Sequence, residues 1–170
     1  MTQSSKTARL FTFQRTPVLD LFDTDGRYLP TWQGTGVAGR HRIAYEFVSR
    51  YLGRIGLSDG VSPPVWSFEA DPGDLELLAT MLLSDHELSQ SDYVTMELLV
   101  PEDLILRTSY SAWCDLYFSC LETGRIEDDG KWLDCSPTDA YPSHTAQAIL
   151  PYILKKWIKN VTPLKVPEID

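Results

Sequence analysis

Glycines 34, 36 and 39 form Gly34-Thr35-Gly36-Val37-Ala38-Gly39, formally a G-x-G-x-x-G, and Arg40, His41 and Arg42 follow directly. In a dinucleotide-binding unit such glycines let a turn approach a pyrophosphate at a helix N-terminus, and an acid about twenty positions later holds the ribose. The surroundings argue against that use. Pro30 interrupts the preceding extended segment, the ribose acid falls in a loop around Asp59, and no clean second strand follows on schedule. The stretch reads instead as a glycine loop joining strand to helix, with the three basic residues a solvated first turn able to hold an anion. The other reactive side chains are scattered. His41, His86 and His144 show neither H-x-x-x-H nor H-E-x-x-H spacing, so no structural metal is expected. Cys114, Cys120 and Cys135 lack the paired spacing of a zinc site, and neither Cys114 nor Cys120 has an adjacent histidine to activate it. No G-x-S-x-G or P-loop occurs. Trp66, Trp113 and Trp157 read first as core or interface aromatics.

The elements that must position these residues are easier to read. Tyr93 to Leu106 (YVTMELLVPEDLIL) puts Val94, Met96, Leu98 and Val100 on one face and Thr95, Glu97 and Leu99 on the other, the alternation of a half-buried strand. Pro101 removes a donor, so the ladder should stop or bulge before Leu104-Ile105-Leu106 resumes it. Thr108 or Ser109 then caps a helix carrying Tyr110, Trp113, Tyr117 and Leu121. Upstream, Ala8 to Gln14 reads as a first strand, Thr16-Pro17 as a helix start, and Arg27 to Trp32 as extended. A helix is expected from about Arg40 to Leu52, a short strand at Val65 to Glu69, and a helix opened by Asp71-Pro72-Gly73-Asp74. The C-terminal part reads as a helix from Ser143 or Thr145 to about Lys159, kinked at Pro151.

Together these elements give one α+β domain spanning 1–170, with a small mixed or antiparallel sheet flanked by about five helices and loosely ordered tails at 1–7 and 163–170. A chain of 170 residues, 43% hydrophobic, can bury one sizeable core. Its net charge of -9 opposes non-specific attraction to nucleic acid or anionic lipid. No run approaches the ~20 apolar residues of a membrane span, and three unpaired thiols fit a reducing, cytoplasmic setting.

Several short segments resemble an uncharacterised bacterial domain family. They are Thr12-Phe13-Gln14, Ala44-Tyr45, Pro64-Val65-Trp66, Val100-Pro101-Glu102-Asp103 with Leu104 to Leu106, Trp113, and Lys156-Trp157-Ile158. That family shows W-T-I-Q, A-Y-x-W-M, P-I-W-x-W and V-P-x-D-x-V-L-L-S-D-F-x-x-W-H blocks and a closing K-S-W-x-x-I-F. Here Ser109 or Tyr110 stands where its aspartate is expected, and Cys114 replaces the histidine. More distantly, the order of elements resembles small mono-ADP-ribosyltransferases, including the phage-encoded kind that inactivates host defence proteins. The resemblance implies an NAD site in which Gln14, Arg15 and Thr16 at the first strand's end hold ribose or phosphate. Trp66 and Ser67 would stand on the middle strand, and Tyr45 or Tyr28 would sandwich the nicotinamide. It also implies a late acid, for which Asp115, Glu122 and Glu127 are candidates, stabilising the oxocarbenium-like state as nicotinamide leaves.

A second reading belongs to another class. The acidic charge, Glu127-Asp128-Asp129, Asp71, Asp74, Glu76 and five tryptophans suit a non-catalytic interaction protein, an immunity or anti-defence factor occluding a basic partner. Gln14, Arg15, Trp66 and one carboxylate meeting in one pocket favours the NAD reading; a flat acidic face with exposed aromatics favours the binding module.

Overall fold

The computed structural model describes residues 6–89, 92–135 and 146–164. The domain is α+β, with six α-helices among the described residues and a six-stranded sheet in which every pairing there is antiparallel. Its centre is the pair expected from the alternating stretch. Strand β1 (Thr7–Arg15) runs antiparallel to β4 (Tyr93–Pro101) over their whole length, from Thr7 opposite Pro101 to Arg15 opposite Tyr93. Val94, Met96, Leu98 and Val100 are buried on one face, together with Ala8, Leu10 and Thr12 of β1.

Four further strands complete the sheet around that pair. Strand β3 (Val65–Glu69) lies beside β1, β6 (Ala146–Leu150) beside β3, and β5 (Leu106–Thr108) forms one edge; β8 (Ile158–Pro163) forms the other, against β4. The expected resumption of the strand after Pro101 takes a different form. A 3-10 turn at Glu102–Leu104 intervenes, and β5 pairs with β6 at the far side of the sheet. Five residues reach at most ~18 Å, whereas four strand spacings in a flat sheet span about 19 Å. With a helical turn inside the connection, the sheet has to curl. Arg107 on β5 pins this corner, reaching Glu102 at 2.7 Å and Glu69 of β3 through its Nε at 3.0 Å.

Inside the curl sits an aliphatic core. Leu10, Met96, Leu98, Val100, Ala148, Leu150 and Ile153 have no solvent exposure, and Phe22 of α1 (Val18–Asp25) and Trp157 close it. On the outer, aromatic face lie α3 (Gly39–Arg54) and α6 (Tyr110–Thr123), burying Ala44, Val48, Leu52, Trp113, Leu116 and Cys120 with Trp132 against Ile149. Ser109 caps α6 as expected, accepting from the Ala112 N–H at 3.3 Å. The helix ends at Gly124, where the Arg40 guanidinium donates to the carbonyls of Leu121 and Glu122 at 2.7 Å, a cation placed on the negative end of the helix dipole.

The C-terminal helix is corrected by the structure. From Ala146 onward the chain forms β6, then β7 (Ile153–Leu154) paired with β2 (Arg27–Tyr28), a 3-10 turn at Lys155–Trp157, and β8. Gln147 to Leu150 are buried on both faces of the sheet, which removes the alternation that marks a strand and leaves an apolar run readable either way. Partners distant in sequence decide it: Val65 to Glu69 on one side, Leu106 to Thr108 on the other. The expected start of that helix, the loop Ser136 to Ser143 and most of both tails lie outside the described residues, although Thr7 already belongs to β1 and Pro163 still to β8.

Trp32, expected in extended chain, opens the one-turn helix α2 (Trp32–Thr35), because Thr31 caps it by accepting from the Gly34 N–H at 3.0 Å. Gly36 then adopts φ 66° and Gly39 φ 57°, so these glycines serve the backbone of a helix-to-helix turn. The basic residues that follow are all engaged: Arg40 on the end of α6, His41 with the Tyr117 hydroxyl, and Arg42 with Glu46 at 2.7 Å while lying over Trp32. Between β3 and β4 come a 3-10 turn at Pro72–Asp74, α4 (Leu75–Leu82) and α5 (Asp85–Ser89).

Candidate functional site

Helices α4 and α5 on one side and α3 and α6 on the other leave part of the aromatic face uncovered. A cleft of about 370 Å³ opens there. Its floor is the sheet: Phe13 of β1, Trp66 and Phe68 of β3, Gln147 of β6. Period 2 dictates this floor, since Trp66 and Phe68 point one way while Val65 and Ser67 point into the aliphatic core. One wall comes from α6, where Tyr110, Trp113, Cys114 and Tyr117 recur at helical spacing and share a stripe. Tyr45 of α3 completes that wall, and Met81, Leu82, Leu83 and Glu87 form the opposite one.

Four of these rings touch in sequence. Ring centroids lie 5.3 Å apart for Tyr45 and Trp66, 5.0 Å for Trp66 and Trp113, 5.9 Å for Trp113 and Tyr117, and 6.2 Å for Tyr117 and Tyr45. All the tyrosines stay neutral. Burial, reinforced by the neighbouring Tyr117 phenol and the Glu87 carboxylate, pushes Tyr45 up to about 12, and burial likewise pushes Tyr110 up to about 12 and raises Tyr117. Burial also raises the Cys114 thiol, which keeps it protonated and a poor nucleophile.

Glu87 supplies the charge. Burial acts to raise its carboxyl, but donation from the Ser84 N–H and hydroxyl and from the Tyr93 hydroxyl outweighs this and holds it below the usual range. Ser84 and Glu87 form a reciprocal capping box at the start of α5: the Ser84 N–H donates to Oε2 at 2.7 Å, and the Glu87 N–H donates to the Ser84 Oγ at 3.3 Å. Tyr93 donates to Oε1 at 3.1 Å. The carboxylate is therefore ionised and fixed in direction. None of the described residues lining the cleft is basic.

Trp66 adds an anomaly. Its indole N–H is closed off from solvent and has no hydrogen-bond partner among the described residues. An unpaired buried donor costs on the order of 1–3 kcal/mol. On the same floor, Gln147 Oε1 accepts from the Thr108 hydroxyl at 2.8 Å.

Of the residues expected to bind a cofactor, the structure brings Tyr45 and Trp66 together in this cleft and places the others elsewhere. Gln14 donates to the Thr12 hydroxyl at 2.9 Å, Arg15 pairs with Asp92 at 3.2 Å, and the Thr16 hydroxyl donates to the Asp92 carbonyl. Ser67 is buried on the opposite face, donating to the Ala148 carbonyl at 2.7 Å, and Tyr28 packs on Phe22. Asp115 and Glu122 are exposed on α6, and Glu127 pairs with Arg125 in solvent. None of the three candidate acids lines the cleft; the carboxylate there is Glu87. Its Ser84-x-x-Glu87 spacing is a capping-box signal visible in the sequence, and Tyr110, Trp113 and Tyr117 were legible as one helical stripe.

A wider, more open hollow of about 640 Å³ lies beside the C-terminal half of α3, lined by Arg50, Arg54, Asp59 and Asp128 among others. Its carboxylates tie down their own loops, Asp59 accepting from the Val61 and Ser62 N–H groups and Asp128 from those of Gly130 and the Trp132 indole. Gly53 and Gly60 meet there so closely that a Cβ on Gly53 would stand 2.6 Å from the Gly60 Cα. This hollow is loop architecture. Among the described residues no group of three His, Cys, Asp or Glu side chains is placed to hold a metal ion, and no helix is long and apolar enough to cross a membrane. Protein-family models, curated proteins and solved structures, each compared with the chain, give no match.

Proposed function

We propose that this protein binds a flat organic cation in the aromatic cleft, and that the cation is the nicotinamide ring of oxidised NAD. One observation carries the reading: a circuit of four aromatic rings closed by one fixed, ionised carboxylate, with no basic side chain among the described lining residues. Ring faces and a carboxylate attract a cation and give an anion no counter-charge. The diphosphate of the ligand therefore lies outside the cleft. The carboxamide oxygen of nicotinamide is an acceptor of the kind the Trp66 indole lacks. Glu87 is the carboxylate that would face developing positive charge if the glycosidic bond breaks.

Calorimetry with NAD+ and NADH tests this, because the reduced ring is uncharged. NAD+ should bind about fivefold or more tightly than NADH. Tyr45→Ala and Glu87→Gln should each weaken NAD+, whereas Arg15→Ala, which changes a residue outside the cleft, should leave it unchanged. Equal heats for the two redox forms, or loss of binding with Arg15→Ala alone, would sink the assignment. Release of nicotinamide on prolonged incubation, with water taking the ADP-ribosyl group and the release absent from Glu87→Gln, would extend binding to glycosidic cleavage.

A further inference from the structure

The mouth of the cleft is apolar and exposed on both sides. Phe118 of α6 is 58% exposed, Met81 of α4 44% and Leu77, one turn before Met81, 38%. Phe118 and Met81 both line the cleft opening, so the two helices present one apolar rim. Charge is arranged around it. Asp115, Phe118 and Glu122 are spaced i, i+3 and i+7 on α6, opposite its buried stripe of Trp113, Leu116 and Cys120, so they share the outward face. Neither Asp115 nor Glu122 has an ion-pair partner among the described residues; Lys131, a cation that feels the Asp115 charge, is committed to Asp129 at 3.0 Å. The whole chain carries -9. Large exposed apolar side chains grouped at one place mark an interaction surface, and the acids beside them select its partner.

We infer that the rim formed by Leu77, Met81 and Phe118 is a docking surface for a basic, apolar-containing segment of a partner protein. Apolar side chains of the segment seat against Phe118, Met81 and Leu77, and its lysines or arginines lie over Asp115 and Glu122. The segment thereby arrives at the mouth of the ligand cleft, where a partner is either presented to the bound ligand or occludes it. This inference stands on the rim alone and does not require that the cleft hold nicotinamide.

The probe is a fluorescein-labelled peptide of alternating leucine and arginine, followed by anisotropy against the full chain, with a leucine–glutamate peptide as control. The basic peptide should bind and the acidic one should not. Leu77→Ser and Phe118→Ser, which leave the charge unchanged, should each weaken binding about tenfold. Asp115→Lys with Glu122→Lys should slow association and abolish its salt dependence. Near-native thermal unfolding of the two serine variants shows that they fold, since both positions are exposed. Equal binding by wild type and both serine variants would overturn the inference, as would a self-association of the chain in sedimentation that Phe118→Ser dissolves. Peptide binding without any NAD+ heat sinks the nicotinamide assignment alone; NAD+ heat without peptide binding sinks this inference alone.

Discussion

The two faces of the sheet are built from the same strands and finished differently. On the inner face the curl brings β1, β4, β3 and β6 around Leu10, Met96, Leu98, Val100, Ala148 and Leu150, and nothing there reaches solvent. On the outer face the same strands present Phe13, Trp66, Phe68 and Gln147, and the helices above leave a cleft over them. The inner face is aliphatic and closed, which maximises burial and contact. The outer face keeps an unpaired indole donor and exposed rings, neither of which helps the fold, beside a carboxylate whose capping box secures α5. One face carries stability and the other is free to carry a ligand.

The sharpest way to break this contrast is to shorten a side chain on each face. Leu98→Ala, at a position with no exposure, should cost about 2–5 kcal/mol and lower the melting temperature by roughly 5–20 °C. Phe13→Ala, at the cleft floor, should cost less, because part of the ring is already in contact with water. Equal losses at the two positions in thermal unfolding would erase the distinction.

Acid sharpens the comparison next. Glu87 is held below the usual carboxylate range in the folded protein, so its contribution is present above the unfolded value of about 4.3 and is lost as pH falls through the lower folded value. NAD+ affinity should therefore stay level from about pH 8 to 5 and fall only below about 4.5. Glu87→Gln should be weak throughout, with that acid limb missing. Glutamine keeps the capping box with Ser84, so folding should survive. A limb near neutrality, traced by calorimetry, would point to another group.

Smaller effects follow. Trp66→Phe removes the unpaired donor while keeping a ring, so stability should move by less than about 1 kcal/mol in chemical denaturation, while NAD+ affinity drops. A large destabilisation would mean that the indole N–H is paired after all. Phe118→Ser, at the exposed rim, should lie within about 0.5 kcal/mol of wild type in the same experiment.

The sequence showed the parts of this protein that depend on local pattern. Alternation in Tyr93 to Val100 gave β4, helical spacing gave α3 and α6, and the Ser109 cap fell where its side chain allowed. What long-range pairing decides was hidden: the stretch up to about Lys159 reads as helix until β3, β5, β2 and β4 are there to pair with Ala146 onward. The site divided along the same line. Tyr45 and Trp66 were singled out by the resemblance, but Glu87 reads as an ordinary helix-capping acid, and only the fold sets its carboxylate in the cleft with the four rings. Arg15, which looks like an NAD ligand at a strand end, finds Asp92 across the sheet first.

The central claim is that the aromatic cleft takes a flat cation, and the five tryptophans make it directly readable. Indole N–H resonances in a ¹⁵N-labelled sample, assigned by single Trp→Phe variants, can be followed as the 1-methylnicotinamide cation, methylated on the ring nitrogen, is added. The account expects the Trp66 and Trp113 signals to shift together and saturate, with Trp32, Trp132 and Trp157 still and with neutral nicotinamide producing much less. Shifts spread evenly over all five, or none at Trp66 and Trp113 at saturating ligand, would contradict it.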